Sequence, residues 1–152
     1  SAGRWHTCAI NEKKNLKCWG ANDYGRTDIP GEFKQNIIVV SAGFFHTCAV
    51  LSGGTIKCWG DGYFNQLGNG STTDQNTPVS VSNISNATAV SGGERYTCAL
   101  ISGGTVKCWG YGYSGQLGNG STSDQSTPVT VSNISTATAL SAGVNYFKST
   151  IF

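Results

Sequence analysis

The chain has no methionine, only three prolines and two histidines, and charged side chains make up just 12% of its 152 residues. No apolar run approaches the roughly 20 residues that a bilayer-spanning helix needs, so no such span is expected. The net charge is +2, and no lysine or arginine cluster exists beyond the pair Lys13 and Lys14. Nucleic-acid binding calls for a basic stripe, so no nucleic-acid partner is expected. The motifs G-x-S-x-G, H-E-x-x-H and the P-loop are all missing, and carboxylates are sparse. With no acid–base or nucleophile constellation in view, the chain reads as non-enzymatic, with no cofactor and no metal.

What is there points to strands. Glycine is high, at 21 residues, and Ser, Thr and Asn recur throughout. These residues compete with helical hydrogen bonding and favour turns. The Val, Ile, Thr, Tyr, Phe and Trp between them suit pleated, half-buried strands.

A repeat organises the chain. The segments beginning at Ser41 and Ser91 align without gaps over 50 residues, 35 of them identical. A shorter copy covers 1–40, and a fourth begins at Ser141-Ala142-Gly143. The expected units are therefore 1–40 (a short blade), 41–90, 91–140, and the start of a fourth unit at 141–152. In the second copy, His46-Thr47-Cys48-Ala49-Val50-Leu51 and Thr55-Ile56-Lys57-Cys58-Trp59-Gly60 flank a Ser52-Gly53-Gly54 turn. A glycine-rich loop with Gln66-Leu67-Gly68-Asn69-Gly70 follows, then Thr77-Pro78-Val79-Ser80-Val81. Short strands punctuated by Gly, Asn and Ser, in units of about 50 residues, fit propeller blades. The fold expected is all-β: β-propeller blades in tandem, about three of them, in a partial or oligomer-completed propeller.

The hairpin register follows from period-two alternation. Pairing Cys48 with Cys58 centres the turn on Gly53. Val50 then faces Ile56 on the cysteine side, and Thr47, Ala49, Lys57 and Trp59 take the other. The same offset holds for Cys8 with Cys18 and Cys98 with Cys108, although the first turn reads Asn11-Glu12-Lys13-Lys14-Asn15. Directly opposed strand residues lie within disulfide reach, so three cross-strand disulfides are expected. Two readings compete with them. The cysteines could be reduced core residues. They could also bind zinc, but the C-x-x-C spacing is missing and only His6 and His46 could assist. Disulfides imply an extracellular, cell-surface or periplasmic location. N-x-[ST] sequons occur at Asn69, Asn83, Asn86, Asn119 and Asn133 and become glycosylation candidates only if the source is eukaryotic.

The pattern A-G-x-x-H-T-C-A-[VL]-x-S-G-G-T-[IV]-K-C-W-G, then G-Q-L-G-N-G, then T-P-V-x-V, resembles the regulator of chromosome condensation repeat, in its bacterial, cysteine-containing form. The resemblance covers nearly the whole chain and implies a propeller, usually of seven blades. It also implies roles as nucleotide exchange factors, as inhibitors of other proteins, or as interaction modules on larger chains. The first copy departs by carrying Tyr24-Gly25-Arg26-Thr27-Asp28 in place of Q-L-G-N-G, and the fourth has Lys148 where the others have cysteine. An arc of three blades leaves two exposed edges. A longer chain could close it, several chains could form a ring, or blade edges could join copies into a filament.

Single residues were weighed for chemistry. His6 and His46 share a repeat position with Tyr96 and Tyr146, and that interchange reads as structural. Asp74 and Asp124 are expected to cap their own turns. Trp19, Trp59 and Trp109 are expected to pack between blades. The copies differ mainly at Arg4-Trp5, Phe44-Phe45, Glu94-Arg95 and Val144-Asn145, and after Trp-Gly, where Tyr63, Phe64, Tyr111 and Tyr113 occur. Fixed framework with varying loops is the pattern of a recognition surface. Arg4, Trp5, Phe44, Phe45, Tyr63, Phe64, Glu94, Arg95, Tyr111 and Tyr113 are the partner-binding candidates. The partner expected is a protein or a second copy of the chain. A lectin-like carbohydrate-binding propeller is the alternative, and a regulator such as a nucleotide exchange factor a further one.

Overall fold

The computed structural model of the chain describes residues 1–34 and 36–143. The part of the fourth unit at Val144, Asn145, Tyr146 and Lys148 lies outside them. Ten strands and two short 3₁₀ turns, Asp23–Gly25 and Gly31–Lys34, make up the regular structure of the described residues. The strands form three antiparallel sheets. The first pairs β1 (His6–Ile10) with β2 (Leu16–Gly20). The second runs in the order β3 (Ile37–Ala42), β4 (His46–Leu51), β5 (Ile56–Gly60), β6 (Gln75–Ser80). The third repeats it as β7 (Ala87–Gly92), β8 (Tyr96–Ile101), β9 (Val106–Gly110), β10 (Gln125–Thr130). These are propeller blades, each a meander of short strands. The four-stranded sheets begin at Ile37 and Ala87, ahead of the sequence repeats at Ser41 and Ser91.

The hairpin register is the one the alternation requires. Cys48 opposes Cys58, Val50 opposes Ile56 and Thr47 opposes Trp59. The other two copies repeat it residue for residue. Disulfides join Cys8–Cys18, Cys48–Cys58 and Cys98–Cys108, each with Cα atoms 4.1 Å apart, and no free cysteine remains. That excludes the reduced-core and zinc readings. Closing each short loop stabilises the fold by about 3 kcal/mol in the chain-entropy view.

The middle blade buries both hairpin faces, because one face of a hairpin meets the opposite face of the next. Cys48, Val50, Ile56 and Cys58 share a cluster with Val90, Ala99 and Trp109 of the third sheet. Trp59, on the far side of the same hairpin, packs with Cys8, Leu16, Ile37 and Ala49. Phe33, from the 3₁₀ turn, meets the Trp59 ring edge-on at 5.6 Å. Trp59 and Trp109 are completely buried, as expected, but Trp19 is 48% exposed. The second and third hairpins present their Trp side to a preceding blade. Among the described residues no blade precedes the first, so Trp19 lacks that cover.

Hydrogen bonds tie the blades where the apolar clusters end. A serine at each repeat start accepts a backbone N–H one repeat later: Ser1 Oγ from Ala42 at 3.0 Å, Ser41 Oγ from Gly92 at 3.0 Å, and Ser91 Oγ from Ala142 at 2.9 Å. The two histidines do a related job. His6 Nε2 lies 2.8 Å from Thr47 Oγ1, and His46 Nε2 lies 2.8 Å from Thr97 Oγ1. Each threonine hydroxyl in turn donates to a loop carbonyl, Arg26 O or Gln66 O. With the hydroxyl proton so committed, each histidine donates from Nε2.

Candidate functional site: an aromatic–arginine loop face

The loop that follows each Trp-Gly is tethered from within. In the second blade Gly62 N–H donates to Asp74 Oδ1 (2.9 Å), Tyr63 N–H to Asp61 Oδ1 (3.0 Å), and Phe64 N–H to Gln66 Oε1 (2.8 Å). The third blade repeats the pattern with Gly112 to Asp124 and Ser114 to Gln116. Asp74 and Asp124 therefore do not cap their own turns. Each reaches back twelve residues to hold the preceding loop. Burial, together with the neighbouring Asp74 carboxylate, pushes the Asp61 carboxyl upward, against the lowering effect of the Tyr63 N–H.

These tethers fix the loops that carry Tyr63, Phe64, Tyr111 and Tyr113, and the other partner-binding candidates lie on the loops between β-strands beside them. Two ring clusters run across this face. In the first, the Arg4 guanidinium lies 4.3 Å over the Phe44 ring and 4.9 Å over Trp5. Phe44 meets Phe45 edge-on at 4.6 Å, and Phe45 meets Tyr24 at 6.4 Å. In the second, Arg95 lies 4.4 Å over Phe64, which meets Tyr63 at 4.9 Å and Tyr111 at 5.5 Å. Tyr111 stacks with Tyr113 at 6.3 Å. A cavity of about 490 Å³ joins the clusters, lined among others by Tyr24, Phe45, Tyr63, Phe64 and Arg95. A second, of about 370 Å³, lies on the other side of Arg95 against Tyr111 and Tyr113.

The candidates are not equally accessible. Tyr63 and Tyr113 are 70% and 73% exposed, and Trp5 is more than half exposed. Phe44 is buried and supports Arg4 from beneath instead of offering its own surface. Phe45, Phe64, Tyr111, Glu94 and Arg95 are half-buried, and Arg4 is exposed. Sequence reasoning missed two residues. Tyr24, half exposed beside Phe45, sat in a loop set aside as a departure from the repeat. Arg26, completely buried, holds Ala21 O at 3.0 Å and pairs with Asp23. Its carbonyl serves Thr47 as the Gln66 carbonyl serves Thr97. The first copy thus keeps the geometry of the missing Gln-Leu-Gly through its backbone.

The interchange of His and Tyr has a geometric reason. A Cβ on Gly43 would sit 2.4 Å from the His46 ring, and a Cβ on Gly93 2.4 Å from the Tyr96 ring. Any flat ring that covers the glycine fits. Tyr96 uses its hydroxyl to accept the Gly143 N–H at 2.9 Å. Burial, with the nearby Arg26 charge, lowers His6 to about 4, and burial, with His6, lowers His46 to about 3. Neither ring faces an open site. Among the described residues no cluster of three or more metal-ligating side chains occurs, and no helix is long and apolar enough to cross a membrane.

Comparison with known proteins agrees with the architecture. Profiles of the regulator of chromosome condensation (RCC1) repeat match residues 54–100 and 103–147, and in a second form residues 1–26, 37–66 and 87–116. No curated protein sequence matches the chain. Among solved structures, Prp20p from Saccharomyces cerevisiae, described with its binding to Gsp1p and histones, superposes with a TM-score of 0.79 at 19% identity, over 94% of this chain and 41% of its own. Human WBSCR16 gives 0.73 at 19% identity, over 85% of this chain and 37% of its own. The CRINKLY WD40 ectodomain of the Arabidopsis thaliana receptor kinase ACR4 gives 0.51 at 25% identity, over 73% and 35%. The chain therefore spans less than half the length of these relatives. Matching profiles over most of the sequence, and blades that superpose on those of a known propeller, place the chain in the regulator of chromosome condensation repeat family.

Proposed function

We propose that this chain is a non-enzymatic binding module that recognises a protein partner through the aromatic–arginine face, outside the cytosol. One observation carries the reading: Tyr63 and Tyr113 stand 70% and 73% exposed on loops whose backbone N–H groups are held by side-chain acceptors. Large exposed rings on a rigid support anchor interfaces at low entropic cost, and Tyr, Trp and Arg dominate binding hot spots. Three disulfides suit an oxidising compartment, which favours an extracellular, cell-surface or periplasmic site and counts against a cytosolic nucleotide exchange factor. Selection from a displayed peptide library tests the reading. The wild-type chain should enrich a related set of peptides, and Tyr63→Ala/Tyr113→Ala should not retain them. Failure to enrich any set, or retention by the variant, contradicts it.

A carbohydrate ligand is the second reading. It is favoured by the stacked Tyr111–Tyr113 pair and by the Asp61 and Asp74 carboxyls lining the larger cavity. Binding on a glycan array that is lost in Tyr113→Ala would move the assignment to sugar.

A further inference from the structure

The near-identical copies place an aromatic ring, Trp5 or Phe45, at the position where the third blade has Arg95. This substitution puts a cation between the two cavities of the face. The guanidinium carbon lies over Phe64, 4.4 Å from its ring centre. Its Nε is buried without a hydrogen-bond partner. The nearest carboxylate, Glu94, stands 3.6 Å from that Nε, beyond good hydrogen-bond range. The side chain is 40% exposed, and no described residue accepts a hydrogen bond from its two terminal nitrogens. A guanidinium so placed is partly dehydrated on one side by a ring and presents an unused two-pronged fork on the other.

From this geometry we infer that Arg95 is the specificity-determining residue of the face and that it receives an acidic side chain of the partner protein. The inference rests on the reading of the face as a protein-binding surface and adds the chemistry of what is bound. A fork of two parallel N–H donors matches a carboxylate in plane and spacing, and such charge-assisted bonds are about twice as strong as neutral ones. Phe64 beneath the guanidinium excludes water from one side and adds a cation–π contribution that an ammonium group could not match in plane. The tyrosines Tyr63 and Tyr113, one on each cavity, then flank the bound carboxylate with apolar surface. Carboxylates line both cavities, Asp61 and Asp74 the larger and Glu94 the smaller, so the attraction of an acidic side chain rests on the fork of Arg95 itself.

The test uses peptides selected on the wild-type chain from a displayed library, each compared with a copy in which Asp and Glu are replaced by Asn and Gln. The selected set should be rich in acidic residues, and the amide copies should bind about 10- to 100-fold more weakly. Arg95→Gln should erase the difference between acid and amide, and Arg95→Lys should restore it only in part because a point charge lacks the fork. Equal binding of acid and amide copies, or discrimination that survives Arg95→Gln, overturns the carboxylate inference and leaves the face as a binding surface. Enrichment of no peptide at all overturns both.

Discussion

The contacts between blades and the loops above them obey opposite rules. Between blades, the second and third copies repeat almost the same residues: Cys48 and Cys98, Thr47 and Thr97, Trp59 and Trp109, Gln66 and Gln116. On the loop face the same two copies differ, Phe44-Phe45 against Glu94-Arg95 and Asp61 against Tyr111. The reason is mechanical. An interface residue must fit the blade before it and the blade after it, so the packing of neighbours fixes its shape. On the loops after Trp-Gly a face residue is held through its backbone, by Gln66, Asp74 and their equivalents Gln116 and Asp124, and its side chain is free to change. Separating what holds the fold from what meets a partner lets one scaffold carry unlike surfaces.

The comparison can be broken most forcefully at the tryptophans. Trp109→Ala should cost about 3–5 kcal/mol, since it empties a buried cluster and leaves Gln66 O without the 2.9 Å indole bond. Trp19→Ala, at the equivalent but half-exposed position, should cost less than about 1 kcal/mol. Urea unfolding of the two variants measures the gap, and equal costs would mean that Trp19 has cover the fold does not reveal. Next in size is the staple. Replacing Cys48 and Cys58 together by Ala should lower stability by about 2–4 kcal/mol, read as a lower unfolding midpoint that added reductant no longer shifts at that hairpin.

The histidines sharpen the same comparison through pH. Their folded-state values, about 4 and about 3, lie below the ordinary 6.5, so the unfolded chain binds protons first as pH falls. Their contribution to stability is complete above about pH 7. It is lost from about pH 6.5 down to about 4 for His6 and about 3 for His46, with a slope approaching about 1.4 kcal/mol per unit for each ring. His46→Gln should flatten that dependence in urea titrations from pH 7 to 4.5. An unchanged slope would show that His46 does not stay neutral in the folded chain. Smallest of all should be the effect of face variants on stability.

Much of this division was legible in the residues. Once Cys48 is paired with Cys58, period-two alternation puts Val50 with Ile56 on one side and Trp59 on the other, because an antiparallel hairpin then leaves no other choice of side. Contrasting copies marked part of the face, Phe44-Phe45 against Glu94-Arg95 and Asp61 against Tyr111, since positions free to vary between like scaffolds are those the scaffold does not use, whereas Tyr63 and Tyr113 are the same in both copies. What stayed hidden depends on cover and on backbone. Trp19 has the same local pattern as Trp59, and nothing in that pattern says which blade lies over it. Asp74 finds its partner twelve residues back, around a loop whose path no local signal specifies. Arg26 substitutes for Gln66 through a carbonyl, which side-chain comparison cannot see. The serines at 1, 41 and 91 mark the repeat starts in the sequence, and only the closeness of successive blades makes them acceptors.

The most direct test of the account measures stability and binding on one variant, Tyr63→Ala/Tyr113→Ala. Its urea unfolding midpoint should stay within about 0.5 kcal/mol of wild type, while its affinity for peptides selected on the wild-type chain falls at least about tenfold. A lowered midpoint with undiminished binding would contradict the separation of scaffold from face.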